Sequence, residues 1–258
     1  MISVLDTPEI FLKQKRISTE CQHLLSNPNI THTPKALRNT VARDIDIKSN
    51  KDLPQKVGLQ TSLGQARLLH DLANIELQAM EMGLRTLYEF PKAPKELREQ
   101  LVDIILDESR HLHLCLDGLQ TLGFEWGFAP ARTNLWDATS HEDTLLDRIL
   151  IVHCYLEASG LDSGEWILNK LNGVINREPR EIVRTIADEE IGHVQFGLNW
   201  FRTLCAQEKK DPSQEFQSRL TSLQNKIPKR AAKITNDRRI AAGFSQKDLN
   251  FLLQFTQN

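Results

Sequence analysis

The sequence predicts an all-α fold: a four-helix bundle with a long crossover between its second and third helices, extended by helices at both ends. Two observations predict it. Between residues 61 and 208, four long segments repeat apolar residues at intervals of three and four. The connections between those segments run short, long, short. A third observation gives the fold a purpose, because each apolar stripe carries a glutamate or histidine near its middle, where the core should lie.

A chain of 258 residues exceeds the usual single domain, which divides it into a terminal extension over 1–60, the bundle over 61–208 and a helical extension over 209–258. Its 40% hydrophobic and 26% charged residues are those of an ordinary globular protein with enough apolar mass for a core. A formal charge of -2 steers the whole molecule toward neither nucleic acid nor anionic lipid. The opening MISVLDTPEIFLKQKR lacks the apolar run of a secretory signal and no later stretch is long and apolar enough for a bilayer, so the cytoplasm is the expected location and no membrane the expected partner. Cys21, Cys115, Cys154 and Cys205 are too scattered for a zinc ribbon or redox pair and read as reduced core thiols.

In chain order, a helix is expected near Thr7 to Leu25, followed by the polar, proline-punctuated stretch Ser26 to Pro54. The first bundle segment opens at Ser62 and Gln65, which have capping-box spacing, and aligns Leu69, Ala73, Glu76, Met80, Leu84 and Leu87 before Pro91. Pro94 suits the first turn of the second, whose stripe is Leu97, Leu101, Ile104, Glu108, His111, Cys115 and Leu119, ending near Gly123. The third is expected to be capped by Ser140 with Asp143 in its first turn, aligning Leu146, Ile149, His153, Glu157 and Leu161 before Gly173. The fourth follows Pro179 and aligns Ile182, Ile186, Glu190, His193, Gly197 and Phe201. Short linkers make the first and second segments, and the third and fourth, antiparallel hairpins. The stretch from Gly123 to Ser140, at roughly 3.3 Å per extended residue, is long enough to travel the length of a bundle. Further helices are expected over Ser213 to Gln224 and Ser245 to Phe255, on either side of a basic stretch.

The chemistry rests on two E-x-x-H motifs, Glu108 with His111 and Glu190 with His193. Residues three apart share a helical face, so carboxylate and imidazole can hold one metal or two neighbouring metals without distorting the backbone. The other two segments each offer a central glutamate, Glu76 and Glu157, which precede Glu108 and Glu190 by nearly equal intervals. Four carboxylates and two imidazoles are the ligand set of ferritin-like dimetal proteins, and two divalent cations would neutralise four acids that are otherwise costly to bury. A third E-x-x-H, Glu20 with His23, has no partner helix and is read as a decoy.

Asp107, Arg110 and Glu189 flank the ligands and are read as residues that steady them, with Arg110 to Glu189 as an expected pair. His153, one turn before Glu157, reads as a core histidine, with a ligand or proton-relay role as the alternative. Tyr155 points away from Glu157, and Trp166, Trp200 and Phe201 read as packing. Lys226, Lys229, Arg230, Lys233, Arg238 and Arg239 form the basic stretch, read as a solvated surface run.

The strings E-L-Q-A at Glu76 to Ala79, D-E-x-R-H at Asp107 to His111, L-E-x-x-G-L-D at Leu156 to Asp162, D-E-E-I-G-H-V with W-F-x-x-L-C at Asp188 to Cys205, and N-D-R-R-x-A-A-G-F at Asn236 to Phe244 resemble the bacterial uncharacterised ferritin-like domain family. The resemblance runs from about Leu63 to the C-terminus and departs at Asn74 and Ser159, where relatives often carry histidine and arginine. It implies a carboxylate-bridged pair of metal ions, two iron ions with manganese or a mixed pair as alternatives. Glu108 and Glu190 would bridge, Glu76 and Glu157 would be terminal, and His111 and His193 would each complete one ion. The activity expected is a dioxygen-activating oxidoreductase with an organic small-molecule substrate and an electron donor. A ferroxidase or iron- and manganese-handling protein is the alternative, and large hollow assembly would favour it over a monomer or homodimer. A nucleic-acid substrate, tRNA, rests on fold analogy to a tRNA hydroxylase and on the basic stretch.

Overall fold

The computed structural model describes residues 2–27, 33–229 and 233–255; Arg230 of the basic stretch and residues 28–32 of the polar stretch lie outside the described residues. Among the described residues the chain is all-helical, its one extended pairing an isolated bridge between Ile47 and Ala131. No helix among them is long and apolar enough to cross a membrane. The chain divides into two compact units, residues 1–136 with 173–182, and residues 137–172 with 183–258.

The first unit is built on a hairpin of α2 (Ser62–Glu89) and α3 (Lys95–Thr121), with α1 (Ile10–Ser26) packed on both. The cap of α2 lies one residue before the expected one. Thr61 has extended backbone and its Oγ1 accepts from the Gly64 amide at 3.0 Å, while Ser62 is already helical and Gln65 donates its side-chain amide to the Leu59 carbonyl. Pro94 is the N-cap of α3, and the helix stops as expected at Gly123. Gly123 takes a left-handed φ of 80°, and the amides of Gly123 and Phe124 return to the carbonyls of Gln120 and Leu119, the pairing that closes a helix at glycine.

Glycines set the hairpin register. A side chain at Gly118 would meet Leu69, and one at Gly83 would meet Ile105, so α2 and α3 approach closely at both levels. Glu76 lies seven residues from both Leu69 and Gly83, and His111 lies seven from Gly118 and six from Ile105. In an antiparallel pair, Glu76 therefore falls level with His111.

The long crossover is strung along α2. Arg67 donates to the Pro130 carbonyl, Asn74 to the Arg132 carbonyl at 3.0 Å, Gln78 accepts from the amides of Leu135 and Trp136, and the Arg85 guanidinium lies 4.5 Å over the Trp136 ring. Arg67 to Arg85 spans about 27 Å of helix, and the crossover follows it in the same direction. Asn74 thus has a structural task in fixing the crossover to α2.

The described residues of the first 60 pack into this unit. Glu20, the decoy glutamate, accepts from the Ser3 hydroxyl, the Val4 amide and the Tyr88 hydroxyl, whereas His23 stays on the exposed face with Asn27. Lys13 and Arg43 both donate to Glu81, and all three side chains are buried. Burial alone would raise the Glu81 pKa, but the charges of Arg43 and Lys13 outweigh it and hold it below its ordinary value.

The second unit contains one continuous helical stretch in three pieces: α4 (Leu145–Ile149), a π-helical segment Leu150–Glu157, and α5 (Ala158–Lys170). It also holds α6 (Glu178–Gln207) from Val183 onward, α7 (Pro212–Leu223), α8 (Asn236–Ala241) and α9 (Gln246–Gln254). The expected cap at Ser140 is corrected to Thr144, which forms a full capping box with Asp147. Ser140 and Asp143 close a local turn instead, and Asp143 is occupied by the buried Arg148 and by Lys226.

Glycines again set the register: a side chain at Gly197 would meet the His153 Cβ at 2.3 Å, and one at Gly164 would meet Ala187 at 2.9 Å. Glu157 lies four residues after His153 and seven before Gly164, and His193 lies four before Gly197 and six after Ala187. Glu157 therefore falls level with His193, the arrangement already seen for Glu76 and His111.

Phe201, Phe244 and Phe251 make edge contacts with Phe216, gathering the C-terminal helices around one aromatic core. Asp162 and Arg239, each 1% exposed at the side chain, form a buried ion pair at 2.7 Å that ties α8 to α5, and Asp162 also accepts from the Thr235 amide. Trp166, expected to pack internally, is instead 56% exposed with the Lys170 ammonium 5.6 Å from its ring. Placed on α5 nine residues beyond Glu157, it has left the face that packs.

Candidate metal centre

In the first unit, Glu76 on α2 and Glu108 and His111 on α3 come together and are at most 3% exposed. The His111 Nδ1 lies 3.6 Å from a Glu76 oxygen and 3.8 Å from a Glu108 oxygen. Those spacings are long for hydrogen bonds. They suit ligands of a shared cation, because donors about 2.1 Å from one ion lie about 3.0 to 4.2 Å apart. One ligand atom from each of the three falls within 4.8 Å of the others, so the cluster has the reach to hold a metal.

Two buried carboxylates govern that imidazole. Burial would hold His111 neutral, but the attraction of Glu108 and then Glu76 outweighs it and raises its pKa to about 11. In the metal-free protein at pH 7 the imidazolium therefore stands in for part of a cation's charge. Its contribution to stability is full below the ordinary value of 6.5 and is lost as pH rises through about 11. A metal would need the lone pair, so loading at pH 7 would expel this proton. Calorimetric titration with Co(II) in buffers of different ionisation enthalpy should show release of roughly one proton from this triad, absent in His111→Ala.

The second unit repeats the set with Glu157, Glu190 and His193, all under 9% exposed. The His193 Nδ1 lies 3.4 Å from a Glu190 oxygen, and Glu157 offers an oxygen within 4.8 Å of a His193 nitrogen. Glu157 ends the π-helical segment, a widening of the helix that is frequent at functional sites. His153, in the same segment, points its Nδ1 at both Glu157 oxygens, 2.8 and 2.9 Å away. A carboxylate only accepts, so Nδ1 carries the proton.

Each triad is two carboxylates and one imidazole, a hard oxygen-rich set suited to iron or manganese. Both chemically fit such an ion.

The flanking residues stand differently. Asp107 and Arg110 pair with each other on α3 at 3.2 Å, each nearly half exposed, and Glu189 is half-buried. The Tyr155 hydroxyl donates to the Pro228 carbonyl, and the Ser159 hydroxyl to the Tyr155 carbonyl, so neither is aimed at a ligand. Three residues of the basic stretch, read as a solvated run, are instead engaged in internal pairs: Lys226 on Asp143, Arg238 on Glu165 and Asp188, and Arg239 on Asp162. All four cysteines are buried and free, and burial pushes the Cys21 thiol up to about 12. An open pocket of about 930 Å³ in the first unit, lined by Phe11, Asp44, Asp46 and Trp126 among others, includes none of the six ligands.

Sequence reasoning missed the π-helical segment and the glycine pairs that level each glutamate with its histidine. The second had a visible signal. Gly83, Gly118, Gly164 and Gly197 interrupt helices whose other buried positions, Gly64 at the start of α2 apart, carry larger side chains.

No solved structure gives a significant match to the chain. An "Uncharacterized protein" of Haemophilus influenzae (strain ATCC 51907 / DSM 11121 / KW20 / Rd) is 32% identical over 217 residues, covering 80% of this chain and 74% of its own length. With its match extending over residues 7–250, the chain belongs to the family described as "Protein of unknown function (DUF455)".

Proposed function

We propose that the chain is a ferritin-like dimetal carboxylate protein. Glu76, Glu108, His111, Glu157, Glu190 and His193 would hold two iron ions, with Glu108 and Glu190 as the shared ligands, and the ions would supply the chemistry for activating dioxygen to oxidise an organic substrate. The observation that carries this reading is the repetition of one construction: in each unit a glycine-set register levels a central glutamate with the histidine of an E-x-x-H motif, in a buried site. Four carboxylates bearing two divalent ions are neutral as a set, which removes the chief electrostatic cost of burying them.

When bound, two ferrous ions with open positions supply the electrons and Lewis acidity that dioxygen reduction requires. This chain's own groups would hold the ions and exclude water through the apolar stripes around them. The test is anaerobic loading of the full chain with Fe(II), followed by oxygen, with uptake followed at an electrode and iron by elemental analysis. Two irons per chain with rapid oxygen uptake are expected. Two irons without oxygen uptake would remove the oxygenase reading, and a large hollow assembly that accumulates iron would replace it with iron handling.

A further inference from the structure

The His153 side chain is 1% exposed, packed edge-on against Phe196 at 4.9 Å, and its Nε2 has no hydrogen-bond partner among the described residues. Its polar contact is the Nδ1 proton shared between both oxygens of Glu157. A histidine that served only to fill space would not need that nitrogen, and an apolar ring would avoid burying an unpaired Nε2. The ring has little freedom to leave. Gly197 brings α6 close enough that even a methyl there would collide with the His153 Cβ at 2.3 Å.

We infer that His153 is a positioning residue for the metal centre, fixing the plane and rotamer of the Glu157 carboxylate so that its outward lone pairs face the ion. The inference rests on the dimetal reading. A carboxylate oxygen has two lone pairs, and one donor shared by both oxygens takes the inner side of each, leaving the outer side for a cation. Without the donor, Glu157 is free to rotate, and ordering it again is paid at the moment the ion binds. Outer partners of metal ligands typically contribute 10- to 100-fold in affinity.

The test uses the full chain, freed of metal and titrated with Co(II) by calorimetry and visible absorption. His153→Asn places its amide nitrogen near the position of Nδ1, whereas His153→Gln places it near Nε2, so the two separate donor position from polarity. Wild type should take up two ions, and His153→Asn should keep both near wild-type affinity. His153→Gln should bind one ion about 10- to 100-fold more weakly and leave the other unchanged. Melting temperatures of the metal-free variants should agree, since a purely structural role would separate them and leave metal affinity equal. Equal Co(II) affinities for Asn and Gln would overturn the positioning role while leaving the dimetal reading in place. Failure of wild type to bind Co(II) would overturn both.

Discussion

Glu108→Ala is expected to abolish binding of both metal ions, whereas His23→Ala leaves two per chain. Glu108 is 1% exposed, sits within ligand reach of Glu76 and His111, and in the proposed centre contributes an oxygen to each ion. Its loss removes a ligand from both ions and leaves the anionic charge short of the two cations. The fold should survive, because Glu76 remains to pair with the His111 imidazolium in the metal-free protein. The readout is therefore linkage: metal at 100 times its Kd should stabilise wild type by about 2.7 kcal/mol per site, and Glu108→Ala should show no metal-dependent rise in Tm. His23 is the matched control, drawn from an identical motif that lies exposed while its Glu20 anchors the N-terminus. A Glu108→Ala protein that retains two ions would exclude the bridging role.

Asp162→Ala should be the most destabilising single change away from the ligands. Arg239 is buried at 1% exposure and a guanidinium cannot shed its charge, so removing its partner strands a cation in the core. Breaking such a pair from one side costs about 3–5 kcal/mol, which for a chain of this size lowers Tm by roughly 6–20 °C. The Thr235 amide loses its acceptor as well. The double variant Asp162→Leu with Arg239→Met should recover most of the loss, since well-packed apolar replacements of buried pairs are tolerated. Thermal denaturation of the metal-free proteins checks both. A single variant that melts with wild type would mean that Arg239 finds water or another acceptor.

Helix identity was legible where a local signal has one physical outcome. Gly123 stops α3 because only a residue at ease with positive φ closes that turn, and Ser245 starts α9 because it can cap an amide. It failed where two signals compete within a few residues. Ser140 with Asp143 and Thr144 with Asp147 have the same spacing, and the second won because Asp143 is drawn to Arg148 and to Lys226, the latter 83 residues away and invisible in a local window.

The six ligand candidates stood out because acids and imidazoles broke apolar stripes, and the structure gathers them three to a unit. The π-helical segment was harder to see. Its only trace was the run of four-residue steps from Ile149 through His153 and Glu157 to Leu161. Each such step drifts about 40° around an α-helix, and wider turns absorb the drift. The contact between His153 and Glu157 follows from rotamers, which sequence spacing permits but does not dictate.

The most direct test of the central claim is a crystal structure of the iron-loaded protein with anomalous scattering recorded at the iron edge. The account predicts two anomalous peaks a few Å apart, reached by Glu76, Glu108, His111, Glu157, Glu190 and His193 and bridged by Glu108 and Glu190. A single peak, or peaks ligated by other residues, would contradict it.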